Sequence, residues 1–199
     1  MGAYPYLNSY SGPTWYIETD GNDTTGTGAS DSPFASIQSA VNFATTDGDS
    51  VTVAAGTYVE NINFRGRNIK VVGADRETTT IDGDSSGTVI TFNNGEDSTA
   101  VLSGFTIQDG SAENGGGIYT NNASPTIKDC IIRSNTATDG AGMYIISGNP
   151  SIDNVVIRNN SASNHAGAIY FGLIPESATI SNSLIISNHA VGYAGACMM

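Results

Sequence analysis

The sequence predicts an all-β fold, a single-stranded parallel β-helix closed at its N-terminal end by one short α-helix. Three observations predict it. The first is a repeat. Leu102, Ile127, Ile152 and Ile180 anchor four similar segments spaced 25, 25 and 28 residues apart. Self-similarity at that period marks a solenoid, in which each unit buries its apolar face only against its neighbours. The second is local chemistry. Each unit holds short runs of Ile, Val, Phe and Tyr broken by Gly, Asn, Asp, Ser and Pro, which is strand and turn composition. The third is that only one stretch, near residue 40, carries a helical apolar stripe.

The repeat assigns places to residues. Five positions after each anchor stand Ile107, Ile132, Ile157 and Ile185, expected to form an inward aliphatic ladder. Eight positions after stand Gly110, Asn135, Asn160 and Asn188. The three asparagines are expected to stack at a turn, each amide bonding the next. A Gly/Ala-rich run follows in each unit and ends at Tyr119, Tyr144 and Tyr170, and in the last unit at Cys197. Small residues suit a tight bend without room for side chains. The third unit has one extra residue before Tyr170, and Leu173 to Ser177 adds more. Both insertions are expected at corners, leaving the ladders in register.

Residues 1–50 read as a lead-in, a first strand and the capping helix, and residues 51–199 as one continuous run of coils. Tyr4, Tyr6, Tyr10 and Trp15 are expected to pack over the N-terminal end, with Trp15 to Ile17 as the first strand. The helix is expected from Ser32 as N-cap and Pro33 at its first position, with Ile37, Ala40, Val41 and Ala44 on its apolar face. It should cover the first coil and its open strand edge. Shorter strands around Val51, Ile62, Val71, Ile81 and Ile90 follow, alternating with period two.

Composition narrows the partners. The chain has 19 acidic and 7 basic residues, a formal net charge of -12. Nucleic acid and anionic membrane surfaces reward Lys and Arg and are therefore not expected as partners. No stretch approaches the about 20 apolar residues of a membrane helix. The N-terminal ten residues do not read as a signal peptide. Few lysines and abundant Ser, Thr and Asn suggest a secreted or cell-surface location. Cys130 and Cys197 fall at inward positions of different coils and are expected as two buried free thiols.

The run from Trp15 through Ser32-Pro-Phe-Ala-Ser-Ile-Gln-Ser-Ala to Asp47-Gly-Asp-Ser-Val-Thr-Val-Ala-Ala-Gly-Thr-Tyr58 resembles the N-terminal cap and first coil of the right-handed parallel β-helix proteins, the pectin-lyase-like superfamily. The Gly-Gly-Gly-Ile-Tyr119 run and the Ile-Arg-Ser-Asn135 and Ile-Arg-Asn-Asn160 runs look like the repeats of polymorphic outer-membrane proteins. The resemblance implies a fold shared by lyases, hydrolases, epimerases and adhesins, and so leaves function open. In the lyases it implies clustered carboxylates for Ca²⁺ beside an Arg or Lys base, and in the hydrolases closely set Asp residues.

No stacked acidic cluster emerges from the repeat. Asp129 aligns with Asn154 and Asn182, an amide-like turn ladder. Asp153 aligns with Lys128, an expected surface ion pair. Asp82 and Asp84 flank Gly83 in ordinary turn chemistry. Arg133 and Arg158 align, with Gln108 one coil before, and form an outward stripe able to hold an acidic sugar or a carboxylate partner. Asp20, Asn22 and Asp23 have the spacing of a Ca²⁺ loop, without the glutamate at the twelfth position; Ca²⁺ is the one cofactor the residues allow. The leading expectation is a non-catalytic extracellular or cell-surface module for adhesion, scaffolding or carbohydrate binding. The second is a carbohydrate-active enzyme acting on an acidic polysaccharide. Polysaccharide or a surface protein is the expected partner. The last coil, with Met198 and Met199, is expected to lie open to end-to-end self-association.

Overall fold

The computed structural model describes residues 10–173 and 177–198, without the side chains of Leu173 and Met198. Among these residues every paired strand runs parallel to its neighbour one coil away, and the strands stack into four sheets. The first sheet runs from Thr14–Ile17 through Ser50–Val53, Lys70–Gly73, Val101–Ser103, Thr126–Lys128 and Ser151–Asp153 to Thr179–Ser181. The second holds Gly56–Val59, Thr79–Asp82, Thr106–Gln108, Ile131–Arg133, Val156–Arg158 and Leu184–Ile186. The third holds Ile62–Asn63, Ile90–Phe92, Ile118–Asn121, Met143–Ile146, Ile169–Leu173 and Cys197–Met198. A parallel β-solenoid is therefore the fold.

The predicted ladders are in register. Ile107, Ile132, Ile157 and Ile185 pair in sequence, and Ile81 and Tyr58 extend the rung toward the N-terminus. Leu102, Ile127, Ile152 and Ile180 do the same on the first sheet. The asparagine ladder forms as expected. Asn135 Nδ2 donates to Asn160 Oδ1 at 3.0 Å, and Asn160 Nδ2 to Asn188 Oδ1 at 2.9 Å. Each Oδ1 also accepts a backbone N–H of the coil before, at Gly110, Asn135 and Asn160.

The fourth sheet was not foreseen. Ser111–Asn114, Thr136–Asp139, Ser161–His165 and His189–Ala190 form a narrow fin between the second and third sheets. The chain leaves the main coil at Gly110 and re-enters at Gly116. A Cβ on Gly110 would lie 2.0 Å from the Gly116 carbonyl oxygen, so the base of the fin closes only over glycine. Ala137, Ala141 and Ala162 make a small core of their own inside it. The extra residue of the third unit sits here, as a register shift between the pairs Ala137–Ala162 and Asp139–His165, inside a strand rather than at a corner. The first- and second-sheet ladders stay in register, as expected, but the third sheet shifts by one residue between Ile145 and Ile146, where Ile146 faces Leu173. Part of the Leu173–Ser177 insertion lies outside the described residues.

The capping helix starts later than predicted. It spans Ile37–Phe43 with Ser36 as N-cap, not Ser32. Phe34 pairs instead with Ile17, its N–H donating to Tyr16 and its carbonyl accepting from Glu18. That pairing keeps Pro33 and Phe34 extended, and the buried Phe34 ring packs on Trp15. Tertiary pairing overrides the local signal of a proline in a first turn. The predicted stripe holds, with Ile37, Ala40, Val41 and Ala44 all buried. The edge of Thr14–Ile17 is covered by the loop, not the helix, since Tyr16 N–H donates to Gly28. Tyr10 packs edge-on against Trp15 at 5.2 Å. Tyr4 and Tyr6 lie outside the described residues.

At the other end, Ile180, Leu184 and Ile186 are 41%, 52% and 50% exposed, so the last rung faces solvent as expected. The Met198 side chain and Met199 lie outside the described residues. The same openness corrects one thiol. Cys130 is buried, but Cys197, on the exposed last described rung, is half-buried; both are free. Among the described residues no helix is long and apolar enough to cross a membrane.

Candidate functional site

Two outward columns flank the fin. On the second sheet Asp82, Gln108, Arg133 and Arg158 stand in register. Gln108 is taken at both ends. Its Nε2 donates to Asp82 Oδ2 at 2.8 Å, and its Oε1 accepts from Arg133 Nη2 at 2.7 Å. Its carboxamide thus passes charge compensation from a carboxylate to a guanidinium one coil away. Arg133 Nε is buried without a partner among the described residues. Burial pushes the neighbouring Asp109 carboxyl up, Asp82 adds to this, and Arg133 opposes it. The predicted Arg133–Arg158 stripe is therefore present, with Gln108 as its internal brace.

On the third sheet the outward position of three successive coils carries Tyr119, Tyr144 and Tyr170. The rings stack along the solenoid axis with centroids 5.8 and 4.9 Å apart and planes within 20°. Strand spacing of about 4.8 Å imposes this separation. Beside them the fin presents Asn114, Asp139 and His165, also in register. His165 Nδ1 lies 2.8 Å from Asp139 Oδ1, which also accepts the His165 backbone N–H. The Tyr144 phenol is pushed up by burial, then by Tyr170, Asp139 and Tyr119. His165 further stacks on Tyr193 at 5.7 Å. An open cavity of about 420 Å³ lies where this face begins, between Gly87 and Thr88, the fin residues Ala112, Glu113 and Asn114, and the ring of Tyr119.

The tyrosine column escaped the sequence reading as a site, although its signal was present: a Tyr two places after a Gly or Ala in three successive units. Its outward direction was legible from the inward Ile118, Met143 and Ile169 just before each Tyr.

The other predicted groups are placed as follows. Asn22 Oδ1 accepts the N–H groups of Thr24 and Thr25, and Asp23 Oδ1 those of Ala35 and Ser36. Asp20 borders the same loop. These oxygens hold the loop against the helix start. Asp129 accepts from Asn154 Nδ2 at 2.7 Å, the first step of the expected turn ladder, but Asn182 does not continue it and donates to Asp153 instead. The Lys128–Asp153 ion pair does not form. The Asp153 carboxylate accepts instead from Ser181 and Asn182 of the next coil, which hold it below the usual carboxylate range. Asp82 Oδ1 accepts the Asp84 N–H in a turn. Among the described residues no three His, Cys, Asp or Glu side chains come together to hold a metal.

Compared with known proteins, the chain matches no family model, no curated protein and no solved structure.

Proposed function

We propose that this chain is a non-catalytic carbohydrate-binding β-solenoid of the extracellular space or cell surface, used in adhesion or as a scaffold. The right-handed β-helix of pectin-lyase-like proteins, with repeats of the polymorphic outer-membrane type, is the framework that this reading adopts. The observation that carries it is the outward column Tyr119–Tyr144–Tyr170 beside the file Asn114–Asp139–His165. Aromatic rings with polar tips, flanked by an amide, a carboxylate and an imidazole in register, match the alternation of apolar and hydroxyl faces in a saccharide. The exposed last rung supports end-on association as the scaffolding part of the reading.

The second reading is a carbohydrate-active enzyme on an acidic polysaccharide. The Asp109 carboxyl, raised by burial and close to Asp82 and Arg133, favours it. Against it, Asp82 is already engaged by Gln108 and by the Asp84 N–H.

Affinity electrophoresis against neutral and acidic polysaccharides, with product analysis in the presence and absence of Ca²⁺, separates the two. Retardation without new reducing ends or unsaturated products is expected. Release of products would establish the enzyme, and no retardation on any polysaccharide would remove the binding role.

A further inference from the structure

The stacking of the tyrosines decides which of their surfaces a ligand can reach. Tyr144 is covered on both faces, by Tyr119 and by Tyr170. Tyr119 has a ring against one face only. The residue in register with it one coil earlier is Thr91, and the residue before that is Asn63. The column therefore begins at Tyr119, whose other face carries no ring and looks toward the preceding coil. The cavity of about 420 Å³ lies on that side, bounded by Gly87 and Thr88 of the preceding coil and by Ala112, Glu113 and Asn114 of the fin. The space is shallow and largely open to solvent, so it can seat one ring on the surface but not enclose a longer ligand.

The lining is specific in its chemistry. Gly87 and Ala112 leave the floor low. Glu113 and Asn114, consecutive on the first strand of the fin and so on its two faces, flank the space with a carboxylate and a carboxamide, and neither side chain has a hydrogen-bond partner among the described residues. An aromatic face carries negative potential and receives polarised C–H groups, as on the apolar face of a pyranose. No cation lines the cavity, and Glu113 is anionic, so a uronate or sulfated sugar would meet like charge.

We infer that this cavity is a subsite for one neutral hexopyranose, its C–H face on Tyr119 and its hydroxyls on Glu113 and Asn114. The inference rests on the carbohydrate-binding reading and sharpens it, because it places recognition at the first ring of the column and excludes acidic sugars from that position.

The test uses the full chain and the methyl glycosides of glucose, galactose and mannose, titrated by calorimetry and by saturation-transfer NMR. At least one is expected to bind with a dissociation constant on the order of 1–10 mM. Tyr119→Phe keeps the face and should retain affinity within about twofold, whereas Tyr119→Leu and Glu113→Gln should each lower it about tenfold or more. Thr91→Tyr is the decisive variant. It adds a fourth ring at a half-buried outward position, covers the open face, and should abolish binding while circular dichroism and the unfolding midpoint stay native-like. Binding that survives Thr91→Tyr, or no binding of any of the three glycosides to the wild type, overturns the subsite. If polysaccharide retardation then persists and is lost only in the Arg133→Gln/Arg158→Gln double variant, the broader reading stands without this subsite. If no saccharide binds at all, both fall.

Discussion

Asn135 and Asn160 are joined by two bonds. Oδ1 of Asn160 accepts both the backbone N–H and the side-chain Nδ2 of Asn135, each at 3.0 Å, while Asn160 Nδ2 donates to the Ile132 carbonyl. Both side chains are almost wholly buried, at 0% and 1% exposure. The ladder satisfies backbone groups at a bend where consecutive coils cannot pair by strand bonds alone. Asn160→Ala leaves the buried Asn135 N–H without its acceptor, at about 1–3 kcal/mol, and takes one donor from the Ile132 carbonyl and one acceptor from Asn135 Nδ2. A loss of about 2–4 kcal/mol is expected by urea unfolding. Asn188→Ala, in the open last coil, should lose about 1 kcal/mol. Equal losses at the two positions would contradict a ladder that matters through burial.

Thr120 is the opposite case. It points inward between Phe92 and Ile145, is fully buried, and its hydroxyl has no partner among the described residues. A buried hydroxyl without a bond is unfavourable, and valine has nearly the same shape. Thr120→Val is expected to stabilise the fold by about 1 kcal/mol, read as a higher urea midpoint with an unchanged slope.

The two thiols should be distinguishable without mutation. Burial pushes the Cys130 thiol up to about 12, and it is fully enclosed. Cys197 is half-buried, its thiol also raised by burial. Alkylation with iodoacetamide at pH 8 should modify Cys197 slowly and Cys130 not at all in the native protein, and both in urea. Labelling of Cys130 at the Cys197 rate would mean that the coils open.

Glu60 links the cap to the coils. Its two oxygens accept the N–H groups of Ile37 and Gln38 at 2.7 and 3.0 Å, at the first turn of the helix. Burial nevertheless raises its carboxyl above the ordinary value, outweighing the two amides, and Asp23 adds to the rise. A carboxyl raised in the folded state binds more protons there than in the unfolded chain. Its contribution is therefore fully favourable below the unfolded value of 4.5 and declines as pH rises from there through the raised folded value. The stability of the wild type relative to Glu60→Gln should fall across that interval. A difference that rises with pH would show that the two amide bonds, not burial, decide the titration.

Much of this molecule is legible in its sequence, for a definite reason. In a parallel solenoid with coils of constant length, equal spacing along the chain becomes contact in space. Ile107, Ile132 and Ile157, and Asn135 and Asn160, therefore declared their partners 25 residues ahead. Where coil length varies, as between Ser50 and Ala100, that relation lapses, and the reading there was limited to strands without register.

The sequence alone determined the solenoid, its inward ladders, the asparagine turn and the aligned arginines, because each depends only on periodicity and residue type. The tertiary structure decided what lies off the period. Phe34 pairs with Ile17 and shifts the helix start, because a sheet edge has stronger claims on that backbone than an early turn does. Glu60 and the buried Glu96 hold turns from 22 to 30 residues away, a match of geometry that no spacing announces. Gln108 turned out to be braced between Asp82 and Arg133, because side chains in one column compete for one another before any ligand. The tyrosine column ends at Tyr119 because Thr91, not a ring, stands beneath it, a property of two coils together that neither segment carries by itself.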